Sequence, residues 1–398
     1  MNSRAPLLGA VAVLSFFAGA TGIRLAYTLA YALILTLAVA CGWSWLVVRR
    51  VVITRTSPEG TVMVGEPFVE SFTVHNQGVL PVAYCEVYDL STVGGYYPGR
   101  ACALRGGDTV GWTARGVFAR RGHHNFGPLE ARLGDPFGLF PRTIRVAPVR
   151  SVTVYPRIHH IEDLGAVWSG GSNGDIGHGR IVDAPPDVAT VREYLPEDGF
   201  GRIHWRSTAR TGRLMSRSFD TRNSADVLIV LDLQAGTHAG VAPESSLEYA
   251  ISLAGSVCHS ALRRGQAVGL VTNDASATAF GAGRGEAHRL RILDYLATTT
   301  ADGVQPIGDT IRRHSGGWRG RGGLVVITAT NDLAWVEALL DAGVRGQRHV
   351  AVLVDPASFG GSAPGFRPPA AWRLALDWWV IRRGDPLSAP VATRTATL

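Results

Sequence analysis

The sequence predicts a multi-domain chain: an N-terminal transmembrane helical hairpin, a small antiparallel β-sandwich, then a doubly wound α/β domain. Three observations lead there. Two apolar runs, Ala5–Ile23 and Leu25–Val48, open the chain, and about 20 apolar residues span a bilayer. From Val51 to about Val154 the text breaks into short alternating runs separated by Gly, Pro and Asn, the pattern of antiparallel strands. After Asp226, short runs apolar on both faces alternate with segments of helical spacing, as a buried parallel sheet requires. The expected boundaries are 1–50 for the hairpin, 51–155 for the sandwich, 156–190 for a Gly-rich loop, 191–222 for an arginine-rich segment and 223–390 for the α/β domain.

The two apolar runs are separated only by Thr21, Gly22 and Arg24, which predicts a very short hairpin loop. A secretory signal peptide is disfavoured because the second run follows at once and is closed by Arg49-Arg50. Arg4 flanks one outer end and Arg49, Arg50 and Arg55 flank the other, with Arg24 alone in the loop. The positive-inside rule then predicts a two-helix plasma-membrane protein with its soluble domains in the cytoplasm. Trp43 and Trp45 are expected near the inner interface.

In the middle region, Phe68, Phe72 and Val74 lead to Asn76-Gln77-Gly78, and Val82, Tyr84, Glu86 and Tyr88 continue in alternation. Asp135-Pro136-Phe137-Gly138 carries the residues of a type I turn, so DPFGLF is expected to be a structural corner with Phe137, Leu139 and Phe140 as apolar anchors. The four cysteines, Cys41, Cys85, Cys102 and Cys258, have no CxxC spacing. That excludes zinc ribbons and thioredoxin-like chemistry and leaves a Cys85–Cys102 bridge open.

In the C-terminal region, strands are expected at Val227–Leu233, Ala267–Thr272, Leu324–Thr328 and Val350–Val354. Helices are expected from Leu247 to Leu262, entered through Pro243 in the first turn, and from Leu333 to Leu340. In an open α/β sheet, ligands gather beyond the carboxyl ends of the strands; the sequence places Asp232, Asn273-Asp274, Thr328 and Asp355 there. Gly281–Gly285 precedes a helix but lacks GxGxxG spacing, so it is a weak phosphate loop.

The net charge of +7 comes entirely from arginine, because the sequence contains no lysine. This excludes P-loop ATPases, protein kinases and Schiff-base enzymes, which need an ammonium at a fixed place. The positive charge is spread along the chain rather than gathered, so no nucleic-acid partner is expected. The lipid bilayer, with anionic lipid beside Arg49, Arg50 and Arg55, is the nearer partner.

The segment Arg192–Phe219 is the densest in arginine. It reads RxYxPxD, then RIHWRSTAR, then GxLxxRxF. A short helix is expected within Arg202–Ala209, stopped by Gly212, and a strand over Leu214–Phe219. Together with the hairpin, the RRG and DPFGLF of the middle region and the α/β tail, these motifs resemble the bacterial family called domain of unknown function 58. Glu197 stands where the family has Gly before the aspartate. The resemblance implies that Arg192, Tyr194, Asp198, Arg202, His204, Trp205, Arg206, Ser207 and Arg210 form the signature. It also implies a tail similar to a von Willebrand factor type A domain.

Type A domains hold a divalent cation through Asp-x-Ser-x-Ser plus a distant Thr and Asp. The matching stretch here is Asp232-Leu233-Gln234-Ala235-Gly236 with Thr328. Gly236 offers no side-chain ligand, so the set Asp232, Gln234, Thr328 is degenerate and no metal or cofactor is expected. The signature admits two readings. Asp198 and His204 can form an acid–base pair near Ser207, as a hydrolase would use. Alternatively Arg192, Arg202, Arg206 and Arg210 pair with Glu193, Glu197 and Asp198 while Trp205 packs into a seam between domains. The second is preferred, because spacing alone supports no triad. The resemblance further implies association with a MoxR-type AAA+ ATPase, and so a membrane-anchored, non-enzymatic interaction or assembly protein. A hydrolase using Asp198 and His204 or a cation at Asp232, and a nucleic-acid binder, are the competing classes.

Overall fold

The computed structural model describes residues 4–57, 61–161, 190–193, 205–218, 226–316, 322–342, 349–362 and 376–388. Of the Gly-rich loop expected over 156–190, residues 162–189, including the stretch Trp168–Pro186, therefore lie outside the described residues. The chain folds as two compact units, one built by Met1–Arg157 with Asp294–Thr298, the other by Ile158–Leu293 with Thr299–Leu398.

The first unit opens with two helices, α1 (Arg4–Thr21) and α2 (Arg24–Arg50). The break between them is short because Gly22 takes a left-handed conformation (φ +67°), its N–H still bonded to the Ala18 carbonyl. The helices pack together, and Ala18, Ala26 and Ala30 are buried, small residues that let two helical backbones approach. Among the described residues, α2 alone is long and apolar enough to cross a membrane; the apolar stretch of α1, Pro6–Thr21, is shorter.

α2 passes directly into β1 (Val51–Thr56). Nine further strands follow: β2 (Val62–Met63), β3 (Pro67–Asn76), β4 (Val82–Asp89), β5 (Arg100–Leu104), β6 (Thr109–Val117), β7 (Gly122–Phe126), β8 (Leu129–Leu133), β9 (Arg142–Ala147) and β10 (Arg150–Tyr155). They make sheets of order β1-β3-β6, β5-β4-β8-β9 and β2-β10-β7. Pairing is antiparallel except between β2 and β10. The first two sheets share a core of Phe72 and Val74 from β3, Cys85 and Val87 from β4, and Leu129, Ala131 and Leu133 from β8, which Val47 of α2 joins. A second cluster gathers Phe68, Phe118, Phe126 and Tyr96.

Two sequence expectations change here. The alternation expected through Val82, Tyr84, Glu86 and Tyr88 is interrupted, and the buried residues of β4 are Val82, Cys85 and Val87. A register shift between Val82 and Cys85 turns the strand over, since one extra residue flips every following side chain. Arg55 is not a free flanking charge either. Its side chain is 7% exposed, and Nη2 lies 2.7 Å from Glu70 Oε2 and 3.0 Å from Asp89 Oδ2, both carboxylates being fully buried. Tyr96 and Ser57 donate to the same Glu70.

The DPFGLF corner is a turn. The buried Asp135 carboxylate accepts from the N–H of Phe137 (3.0 Å), Leu139 (3.2 Å) and Phe140 (2.6 Å), and its carbonyl accepts from Gly138 N–H. Phe137, expected as an anchor, is 65% exposed because the turn points it outward.

In the second unit, β11 (Thr190–Glu193) pairs with β12 (Met215–Ser218), and α3 (Trp205–Thr211) precedes β12. The α/β sheet contains β13 (Asp226–Leu231), β16 (Val268–Thr272), β17 (Ala279–Gly283), β18 (Gly322–Thr328), β19 (Val350–Val354) and β20 (Asp377–Ile381), in the order β17-β16-β13-β18-β19-β20. Only β17, at an edge, is antiparallel. Between β13 and β16 lie a small hairpin, β14 (Gly240–Val241) with β15 (Glu244–Ser245), and α4 (Ser246–Arg263). The remaining helices are α5 (Glu286–Thr298), of which Asp294–Thr298 group with the first unit, α6 (Ile307–Ser315) and α7 (Ala334–Ala342).

Both faces of the sheet are covered. Leu228, Val230, Leu324, Val326, Ala351 and Leu353 pack with Ile307 and Ile311 of α6 and Trp335 and Leu339 of α7. The alternate residues Ile229, Val325 and Val352 are buried as well, and α4 contacts the same strands. The entry to α4 differs from expectation. Ser245 is its N-cap, accepting from Glu248 N–H, while Pro243 sits in the preceding hairpin. Gly281 and Gly283 belong to strand β17, so this segment is a strand rather than the loop that a phosphate cradle requires.

Candidate functional site

The carboxyl ends of the parallel strands hold the residues the sequence placed there. Asp232 follows β13, Asn273-Asp274 follows β16, Thr328 ends β18 and Asp355 follows β19. β13 is the first strand of the sheet in the chain, β16 lies on one side of it and β18 on the other. The order thus reverses between β13 and β18, the place where such sheets leave a crevice.

Asp232 is fully buried at that reversal. Its Oδ1 accepts from Asn273 Nδ2 (2.9 Å) and Gln234 N–H (3.1 Å), and its Oδ2 accepts from Thr328 Oγ1 (2.5 Å). Thr328 Oγ1 in turn accepts from Thr330 N–H at 3.0 Å. Asn273 Oδ1 accepts from Leu233 N–H at 2.6 Å, and its Nδ2 also reaches the Gln305 carbonyl at 2.8 Å. The loop after β13 is clamped further by Gly303, whose N–H bonds the Leu233 carbonyl and whose carbonyl accepts from Ala235 N–H. A side chain at Gly303 would collide with the Asn273 carbonyl, only 1.8 Å from an added Cβ. The network thus satisfies buried polar groups at a loop-rich strand end.

Sequence reasoning did not identify His238. Its ring is within 2.9 Å of the Asp232 carbonyl through Nε2 and 3.3 Å of Ser246 Oγ through Nδ1. Burial lowers its pKa, against the opposing pull of the Asp232 carbonyl and charge. Its position in a loop gives no periodic signal. Beside the network lies a cleft of about 160 Å³ lined by Gln234, the first turns of α6 and α7, Arg312, Thr330 and Asp332.

As a cation site the arrangement fits poorly. Hard cations take six or more oxygens, whereas the Asp232 carboxylate already accepts three internal hydrogen bonds and the Thr328 hydroxyl is turned toward it as a donor. Gly236 offers no ligand and takes a φ of +83°. Asp355 is engaged elsewhere, capping the short turn Pro356–Phe359 through Ala357 N–H. The geometry is that of a clamp between two strand ends.

The signature residues divide. Tyr194, Asp198, Arg202 and His204 lie outside the described residues, as does Glu197. Arg192 is in β11, with Ser216 as its register partner on β12. Trp205, Arg206, Ser207 and Arg210 ride on α3, which is stopped as expected by Gly212, its N–H bonded to the Thr208 carbonyl and its φ +69°. Thr208 Oγ1 accepts from Met215 N–H and so ties the helix to the start of β12. No residue of α3 is buried. Trp205 is 67% exposed, and Arg206 and Arg210 are exposed as well. Trp205, expected to pack into a seam between domains, is instead exposed on this two-turn helix.

Fold and site together define a chain with an apolar helical start, mixed sheets and an α/β unit whose sheet-end reversal is closed by its own donors. The family described as "Protein of unknown function DUF58" matches residues 190–357, from β11 past the end of β19. The Bacillus subtilis protein "Uncharacterized protein YeaD" is 27% identical over 205 residues, 49% of this chain and 47% of the relative. The chain thus spans about half the length of that curated relative. Among solved structures, the CARDB domain of the PF1109 protein from Pyrococcus furiosus is 16% identical, with 26% of this chain and 86% of that one covered and a TM-score of 0.21. The cupredoxin domain of amoB from Nitrosocaldus yellowstonii is 12% identical, with 27% and 87% covered and a TM-score of 0.20. At those scores neither likeness carries an argument about fold or ligand.

Proposed function

We propose that this chain is a membrane-anchored, non-enzymatic interaction or assembly protein that works with a MoxR-type AAA+ ATPase. In this reading α1 and α2 form a two-span anchor in the plasma membrane, the soluble units face the cytoplasm, and the α/β unit is a von Willebrand factor type A-like domain. The apolar length of α2 supports the anchor, and the covered parallel sheet with one antiparallel edge supports the type A reading.

One observation carries the interaction role: Trp205 is exposed on a short helix beside exposed Arg206 and Arg210. Trp and Arg dominate the few residues that supply most of the energy in protein interfaces. An indole left in water on a helix tied to its neighbouring strand is suited to a partner surface. The test is a photo-crosslinking residue at position 205 of the full chain in native membranes. Capture of an AAA+ ATPase is expected. Loss of a turnover reaction in Asp198→Asn or His204→Gln, with capture unchanged, would replace this reading with the hydrolase one. Orientation is read separately: a cysteine placed in the Trp168–Pro186 loop should resist a membrane-impermeant reagent in intact cells.

A further inference from the structure

The last turns of α2 are held by two loops of the sandwich. Trp43 Nε1 donates to the Pro81 carbonyl (3.2 Å), Gln77 N–H donates to the Arg50 carbonyl (2.9 Å), and Ser44 Oγ donates to the Phe140 carbonyl (2.6 Å). Each loop carries a large apolar residue turned outward: Val79 is 91% exposed and Phe137 65%. Between α2 and the 76–80 turn lies a cavity of about 370 Å³. Leu46, Val47, Val79 and Leu80 give it apolar walls, Arg50 gives it a cation, and no lining residue is acidic. Gly78 lets the Arg50 stem pass closely, since an added Cβ there would lie 3.0 Å from Arg50 Cβ. The preceding residue, Arg49, stacks over the Trp45 ring at 3.9 Å.

Depth comes from helix geometry. At about 1.5 Å per residue, Arg49 and Arg50 stand roughly 6–10 Å beyond Trp43 and Trp45, and tryptophans of a spanning helix settle at the headgroup level. With the tryptophans at the headgroup level, the cavity walled by Leu46, Val47 and Arg50 lies at the aqueous edge of the interface, within reach of lipid phosphates. A groove with an apolar floor, a guanidinium at its mouth and no carboxylate complements one class of molecule.

We propose that this groove holds an acidic phospholipid of the bilayer, its phosphate paired with Arg50 and the start of an acyl chain lying against Leu46, Val47 and Leu80. Val79 and Phe137 enter the interface on either side. The proposal rests on the membrane-anchored reading, and names the lipid class and the residues that recognise it.

The test uses the full chain in detergent micelles, titrated with phosphatidylglycerol or phosphatidylcholine and read by lipid retained in native mass spectrometry and by Tm. Phosphatidylglycerol should be retained selectively and raise Tm. Arg50→Gln, which keeps the Cβ and Cγ that touch Gly78, should weaken that retention about fivefold, the weight of one arginine at an acidic surface. Val79→Asp should weaken it as well, while Arg100→Gln, at an exposed position on β5, should not. Equal retention of both lipids, unchanged retention in Arg50→Gln, or full competition by inorganic phosphate would overturn the site. Extraction of the chain from cell membranes by alkaline carbonate would instead overturn the anchor on which it rests.

Discussion

Thr328 Oγ1 donates a 2.5 Å hydrogen bond to Asp232 Oδ2, joining the ends of the two strands between which the order of the parallel sheet reverses. Both residues are fully buried. Thr328→Val keeps the shape but strands one carboxylate oxygen and the Thr330 N–H. Leaving a buried polar group unsatisfied costs about 1–3 kcal/mol. The variant should unfold earlier in urea by an amount of that order. Asp232→Ala, which strands Asn273, Gln234 and Thr328 together, should cost more.

The same saturation sets the response to metal. A cation that binds only the folded chain, at one hundred times its dissociation constant, adds about 2.7 kcal/mol. Because the Asp232 carboxylate is filled by protein donors and Gly236 supplies no ligand, Mg²⁺ or Mn²⁺ should leave Tm unchanged. A rise that disappears in Asp232→Asn would restore the cation site.

At Trp205 the exposed position separates stability from recognition. Surface substitutions away from special features usually stay within about 0.5 kcal/mol, so Trp205→Ala should leave the urea midpoint where it is. If the indole is an interface anchor, partner affinity should fall by about 2 kcal/mol or more, a loss of roughly thirtyfold in a pull-down titration. A large drop in stability with affinity retained would mean that the ring is packed in the folded chain.

The sequence is legible where side-chain period decides structure. The run at β13 is apolar on both faces, which only a covered sheet permits, and the strand end then places Asp232 at the rim. The bond from Asn273 to Asp232 is not legible, because it depends on the register of β16 against β13 and on the Gly303 loop between them. Trp205 misleads because burial of a lone aromatic depends on what tertiary structure brings against it. β20 escapes the sequence reading although Asp377-Trp378-Trp379-Val380-Ile381 is rich in strand-forming residues. Arg55 looks like a flanking charge, yet the alternation Phe68, Glu70, Phe72 on β3 points Glu70 inward. An inward carboxylate calls for a buried cation.

That cation gives the fourth prediction. Arg55 is the positive partner of two buried carboxylates, with Nε also donating to Glu70 at 3.0 Å and the guanidinium 5.1 Å from the Phe126 ring. Removing one partner of a buried ion pair costs about 3–5 kcal/mol, so Arg55→Met should be strongly destabilised in urea at pH 7. Burial already raises the Asp89 pKa above 3.8, and Arg55 is the main opposing influence. A raised carboxylate pKa means that the folded state binds the proton more tightly, so stability from that proton is lost as pH rises through the folded value. Without Arg55 that value climbs further. The deficit of Arg55→Met should therefore shrink as pH falls from 7 toward 4; a deficit independent of pH would assign the loss to packing alone.

The last prediction concerns Cys85 and Cys102, which stand opposite each other in the register of β4 and β5 as free thiols. Cys85 is fully buried and Cys102 is half-buried. The two hydrogen-bond, and the Cys85 S–H favours the Cys102 thiolate; positive charge on Arg100 adds to this and burial opposes it. The Cys102 pKa is thereby lowered from 9.0 to about 7, while the same contact and burial push Cys85 up. The thiolate is the nucleophile, so in a Cys41→Ala background the alkylation rate of Cys102 by iodoacetamide should rise through about pH 7 and level off above it. Cys258, raised to about 12 by burial, should stay unlabelled across that range. Cys85→Ala removes the donor, and the Cys102 profile should then move to higher pH. Mass spectrometry of the labelled peptides reads each site separately, and a Cys102 midpoint that stays near 9 would show that the opposed thiol does not stabilise the thiolate.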